Sequence, residues 1–169
     1  MIKKPDSKAK IVLGIDPGFE RLGIAIISKT LGDKKETVIY SECFHTSAKL
    51  PFHERLTLLG EKVGTIIKKY KPTALAIEKL YFAANQKTAM NVAEARGVVV
   101  YEASKQGLQI CEYTPLEIKV AITGYGKASK DMVMSMIPKL CNMEKQTASD
   151  DELDAVAIGL TAFAREKFK

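Results

Sequence analysis

From Ile11 to Ile15 the chain carries an unbroken apolar run, and the segment KIVLGID ends in a single acid, Asp16. A strand with one wet face alternates polar and apolar residues; a strand without that alternation is covered on both faces. KIVLGID therefore predicts an interior strand of a sheet with helices packed on either side. Pro17 and Gly18 follow at once, and neither extends a strand ladder. One carboxylate is left at the carboxyl end of a strand that otherwise avoids water.

The rest of the chain supplies partners for that strand. RLGIAIIS and TVIYSECF are two further strand patterns, separated by the turn residues of LGDKKE, so the first three strands predict an antiparallel meander. Leu56, Leu59, Val63, Ile66 and Ile67 recur at helical spacing in the segment that stops at Pro72. TALAIE is a fourth strand. A long helix is expected over NQKTAMNVAEARGVVVYEASKQG, ending at Gly107, and LQICEYT is a fifth strand. PLEIKVAIT, SKDMVMSMIPKLCN and SDDELDAVAIGLTAFAREKF read as helices. The fold class is α/β: a mixed five-stranded sheet, three antiparallel strands then two parallel, flanked by helices on both faces.

Residues 1–9 form a basic stretch expected to be a flexible tail, and residues 10–169 one domain, with no linker long enough to divide them. Cys43, Cys111 and Cys141 form no CxxC pair, which argues against a zinc site or a disulfide framework and for reduced thiols. No segment reaches the roughly 18 consecutive apolar residues of a membrane span, and the first residues lack an apolar signal core. A cytoplasmic protein is expected. Lysine and arginine outnumber acids 26 to 20, a net charge of +6. That balance suits a polyanionic partner or simply a solvated, lysine-rich surface.

The acids are more informative. Asp16 and Glu78 both end strands, where open α/β sheets bind ligands, although an acid before Pro-Gly is also ordinary turn chemistry. Ser149 and Glu152 form a capping box that starts the last helix, and Asp150 and Asp151 suit the positive end of its dipole. Asp154 fits neither explanation: it lies beyond the first turn, flanked by Leu153 and Val156, and shares a helix face with Asp151. Four carboxylates aimed at one crevice need cations, and without histidine or cysteine in the set the expected ions are hard ones, magnesium with manganese as a substitute. Two such ions about 4 Å apart support phosphodiester hydrolysis. The helix around Arg96, Val98 and Val99 is apolar over more than one face, which fits either burial or a subunit contact.

The pieces LGIDPG, AIEKLYFAAN, AEARGVVV, YTPLEIKVAITGYGKASK and DDELDAVAIG, in this order, resemble the RuvC family of Holliday-junction resolvases, within the ribonuclease H-like superfamily. The resemblance implies a homodimeric, magnesium-dependent endonuclease that nicks two opposed strands of a four-way DNA junction and works beside a RuvA–RuvB branch-migration complex. It implies that Asp16, Glu78, Asp151 and Asp154 are catalytic metal ligands, and that Arg96, Val98 and Val99 lie at the dimer interface. Asp150 departs from the small residue expected at its place. Tyr81 and Phe82 match a DNA-contacting aromatic loop, with Phe82 equally suited to the core. Lys119 and Lys130 match basic residues near the acids, Lys130 with a catalytic role; Lys127, Lys87 and, more weakly, Lys79 are further DNA-backbone candidates. His45 and His53 fall in no site motif and are expected at the surface.

Three rivals share parts of the pattern. YqgF-like nucleases of ribosomal RNA processing have a similar first hairpin, but EKLYFAAN and ARGVVV favour the resolvase. A non-catalytic junction-binding dimer of the same fold is expected to lack one of the acids, and none is missing. Sugar-kinase and actin-like ATPases need a threonine-bearing phosphate loop that DPGFER lacks.

Overall fold

A computed structural model describes residues 9–80, 86–143 and 148–167, the side chains of residues 86–88 excepted. The strands are β1 (Lys10–Asp16), β2 (Arg21–Lys29), β3 (Glu36–His45), β4 (Ala74–Glu78), β5 (Gln109–Tyr113) and β6 (Cys141–Met143). The helices are α1 (Phe52–Tyr70), α2 (Gln86–Lys105), α3 (Pro115–Thr123), α4 (Lys130–Leu140) and α5 (Asp150–Arg165). One sheet runs in the order β5-β4-β1-β2-β3-β6. β1, β2 and β3 form the antiparallel meander, while β4 and β5 run parallel to β1 and to each other. This is the ribonuclease H-like α/β arrangement, with β1 in the interior of the sheet.

The strand count is corrected from five to six. The segment SKDMVMSMIPKLCN reads as helical to its end, but α4 stops at Leu140 and the next three residues pair in parallel with Glu36, Thr37 and Val38. Pro138 removes an N–H from the last turn of α4, and a three-residue strand is too short to show a period.

Side-chain alternation sorts the sheet into two unlike faces. Ile11, Leu13 and Ile15 of β1, Leu22, Ile24 and Ile26 of β2, and Leu75 and Ile77 of β4 all pack toward α1 and α2. The opposite face carries Val12, Ala25, Ala74 and Ala76 beneath α5, with α3 and α4 beside it. Small residues there let a helix backbone touch the sheet. A Cβ on Gly14 would stand 2.3 Å from the Ala155 carbonyl oxygen, and one on Gly23 2.1 Å from that of Asp151. Asp16 and Glu78 follow the same alternation onto the α5 face.

Candidate active site

β1 and β4 are in parallel register with Ile15 opposite Ile77, so Asp16 and Glu78 are the next residues on neighbouring strands. Above them lies the first turn of α5. Ser149 is its N-cap: the Glu152 N–H donates to Ser149 Oγ at 3.3 Å, and the Ser149 N–H donates to Glu152 Oε1 at 3.3 Å. Glu152 is buried and also accepts 2.6 Å from Ser41 Oγ on β3, so the capping acid docks the helix on the sheet. With Glu152 turned to β3, Asp151 and Asp154 face the strand ends. Arg21 Nη1 lies 3.7 Å from Asp151 Oδ2, and Cys43 Sγ donates to the same oxygen at 3.5 Å. Lys130 Nζ bridges Asp154 and Asp150 at 3.2 and 3.3 Å.

These carboxylates feel one another. Burial, then the charges of Asp154, Glu78 and Asp151, push the Asp16 carboxyl up to about 7, with Lys130 opposing. Glu78 is raised by burial and by Asp154. Burial also raises Asp154, even though Lys130 pulls it down. For Lys130, burial lowers the ammonium, but Asp154 and Asp150 outweigh it and the net shift is upward. Carboxyls raised above their ordinary range partly by one another's charge carry unneutralised repulsion, a pattern that clusters at functional sites.

The donors fit a hard divalent cation: all are carboxylate oxygens, and their mutual repulsion is what such an ion relieves. Among the described residues no three histidine, cysteine, aspartate or glutamate side chains form a ready-made cage, so the acids are coupled rather than already drawn together. Lys119, Lys130, Glu78 and Asp154 line a cavity of about 210 Å³ whose floor is Pro115, Ile118, Val133, Ala157 and Ile158. Lys127 is exposed on the turn before α4, and Lys79 is exposed beside Glu78. His45 and His53 are exposed. Tyr81 and Phe82 lie outside the described residues, as does the side chain of Lys87.

The α2 assignments change. Val99 is fully buried in the chain's own core and is not available to an interface. Arg96 is occupied within the chain: its Nε donates to the Glu78 carbonyl at 3.1 Å and its Nη2 pairs with Glu112. It therefore steadies the strand end that presents Glu78. Val98 is half-buried, near enough to α1 that a Cβ on Gly60 would stand 3.1 Å from its Cγ1.

Three supporting residues escaped the sequence reading. Arg21, two residues before Gly23 on β2, and Cys43, opposite Gly23 on β3, hold Asp151, but no local pattern marks them. Arg55 was findable, because it falls on the same α1 stripe as Leu59 and Val63. It is buried, its Nε donates to Thr46 Oγ1 at 3.0 Å, and its Nη2 donates to the Phe19 carbonyl at 3.2 Å. Thr46 Oγ1 donates to that carbonyl too, at 2.6 Å, so the loop after Asp16 is pinned from α1.

Comparison with known proteins agrees with this geometry. A family model described as "Crossover junction endodeoxyribonuclease RuvC" matches residues 12–162. The crossover junction endodeoxyribonuclease RuvC of Halothermothrix orenii is 41% identical over 150 residues, covering 89% of this chain and 90% of that protein. Thermus thermophilus RuvC, solved in complex with a Holliday junction substrate, superposes with a TM-score of 0.84 at 29% identity, over 91% of this chain and 93% of that one. The yeast mitochondrial Holliday junction resolvase shares the fold at a TM-score of 0.70 and 14% identity, over 95% and 79% of the two chains.

Proposed function

The chain belongs to the RuvC family of crossover junction endodeoxyribonucleases, and we propose that it resolves four-way DNA junctions by paired, symmetric nicks in two opposed strands. It is a metal-dependent phosphodiesterase built on a single nuclease domain over residues 10–169. The observation that carries this reading is the convergence of Asp16 and Glu78, in register on parallel strands, with Asp154 of α5 close enough to disturb both.

Asp16, Glu78, Asp151 and Asp154 are the residues that would hold the metal, magnesium with manganese as a substitute, as two ions per site. When bound, such ions activate the attacking water and neutralise the leaving oxygen. The protein's own groups do the rest. Without a cation Asp16, raised to about 7, is about half protonated near neutral pH, and its carboxyl would give up that proton on binding one. Lys130, held between Asp154 and Asp150, directs its ammonium into the cavity mouth, where it donates to a phosphate oxygen as negative charge builds. Lys119, on the same cavity, binds a neighbouring phosphate. Lys127, Lys87, Tyr81 and Phe82 extend the DNA contact.

Paired cuts require two active centres, so the working unit is a homodimer. Its contact is assigned to the outer faces of α1 and α2, where Gly60, Gly64, Val98 and Tyr101 line a groove of about 670 Å³ and Tyr101 is 63% exposed. This keeps Val98 in the interface and replaces Arg96 and Val99 with Tyr101. A RuvA–RuvB complex supplies the branch point, and the reaction belongs to recombination and repair in the cytoplasm.

The test is cleavage of a mobile synthetic four-way junction in magnesium, beside matched linear duplex and structured RNA, with the cut positions mapped. Symmetric paired nicks in the junction alone are expected. Cutting of RNA alone moves the protein to ribosomal RNA processing, and tight junction binding without cutting in any metal leaves a binding-only dimer.

A further inference from the structure

Between α3 and α4 the surface sets large apolar side chains in water among lysines. Leu116 and Val120, one helical turn apart on α3, are 60% and 44% exposed; Tyr125 in the next turn is 54% exposed and Met132 on α4 48%. Single exposed apolar residues are ordinary, whereas contiguous ones mark contact surfaces. Leu116 and Val120 lie against the turn that carries Tyr125: a Cβ on Gly126, the next residue, would stand 2.7 Å from Leu116 Cδ1 and 3.4 Å from Val120 Cγ2.

The backbone of the turn is fixed without help from the tyrosine ring. Gly124 closes α3 in the left-handed region at φ 74°, donating to the Val120 carbonyl. The Tyr125 N–H donates to Thr123 Oγ1 at 3.1 Å, and the Tyr125 carbonyl accepts from the Ala128 N–H at 3.1 Å, with Ala128 itself buried. An exposed aromatic on an ordered turn costs little entropy to use as a contact.

Charge decides the kind of partner. Lys119 sits on α3 between Leu116 and Val120, Lys127 follows Gly126, and Lys130 opens α4. Of the acids on these two helices, Glu117 is engaged by its cap and by Arg165 at 2.9 Å, leaving Asp131 against Lys119 and Lys127, while Lys130 is turned to Asp154 and Asp150. Lys119 and Lys130 also line the cavity that holds Glu78 and Asp154, so this surface is continuous with the acidic centre. Lysines among apolar and aromatic side chains fit a polyanion that also exposes flat apolar faces: a nucleic-acid strand with an unstacked base.

We propose that Tyr125, backed by Leu116 and Val120, stacks on an unpaired nucleobase of the strand whose phosphate enters the acidic centre, while Lys127 holds an adjoining phosphate. The inference rests on the junction reading above, because an intact duplex keeps its bases stacked and a branch point does not.

The test uses the full-length protein and a four-way junction. In an Asp16→Asn background, 5-iododeoxyuridine is placed singly at each nucleotide flanking the mapped cleavage position, and crosslinked peptides are identified after irradiation. A crosslink to Tyr125 from one or two positions is expected. Tyr125→Ala should bind the junction about tenfold more weakly with linear duplex affinity unmoved, and Tyr125→Phe should restore junction affinity. Junction affinity undiminished in Tyr125→Ala, an equal loss on linear duplex, or crosslinks confined to other residues overturns the stacking role. A surface reserved for a protein partner gives the first of these results. If the wild-type protein cuts the junction and Tyr125→Ala binds it normally, this inference alone falls; if the wild type does not cut the junction, the functional reading falls and takes this one with it.

Discussion

The two faces of the central sheet do different work with the same strands. Toward α1 and α2 the strands offer isoleucine and leucine at nearly every position, and the helices stand off on those side chains. Toward α5 they offer glycine and alanine, and the helix backbone comes down onto the sheet. The first arrangement buries much apolar area, at about 25 cal/mol per Å², and tolerates small shifts. The second gains less from burial but fixes the acidic first turn of α5 over Asp16 and Glu78. One face holds the fold; the other sets the chemistry.

Several changes would break or sharpen that contrast. Gly23→Ala drives a methyl into the Asp151 carbonyl, which as backbone cannot swing aside. It should cost about 3 kcal/mol or more in urea unfolding, and cleavage should vanish even in molecules that remain folded. Retention of full activity would show that α5 need not touch β2.

Asp16→Asn should separate chemistry from fold. Junction cleavage should fall on the order of a thousandfold while gel-shift binding persists. The stability effect has a definite sign. A folded-state pKa of about 7 against an ordinary 3.8 means that, without metal, ionising Asp16 costs stability that accumulates as pH rises from about 4 to about 7. In a chelator, the wild-type Tm should therefore decline across that window, and the Asparagine variant should lose most of that slope. Magnesium should raise the wild-type Tm at pH 8 more than that of the variant.

On the other face, Leu59→Ala removes a fully buried side chain and should cost about 2–4 kcal/mol in thermal or urea unfolding. Turnover per folded molecule should stay within about twofold of wild type. Lys130→Ala should do the reverse on a smaller scale: cleavage about ten- to a hundredfold slower, with Tm nearly unmoved because the ammonium is half exposed. A large loss of stability there would assign Lys130 to the fold instead.

The sequence made the first arrangement easier to read than the second. Unbroken apolar strands and a five-residue helical stripe announce burial on their own, and Asp16, Glu78 and the Ser149–Glu152 cap follow from where those elements end. Close approach leaves a fainter mark. Gly14 and Gly23 look like any strand glycines until α5 is placed against them, and β6 is too short to have a period. The difference between Val98 and Val99 is a rotation of about 100° around a helix, invisible where both are apolar neighbours. Arg21 and Cys43 meet Asp151 across more than a hundred residues of sequence, a distance over which no local pattern speaks.

The docking of α5 on β1 and β2 also sets when the site can exist. It joins the last described helix to the first hairpin, closing a loop of well over a hundred residues, so it is among the most non-local contacts in the chain. The meander, α1 and β4 can pair as they leave the ribosome, bringing Asp16 beside Glu78 early. Asp151 and Asp154 arrive only with α5. A nascent or truncated chain that ends before Asp150 thus has half of the four acids and none of the helix that orients the other half, and on the proposed function the capacity to cut DNA waits until α5 has been made and has docked.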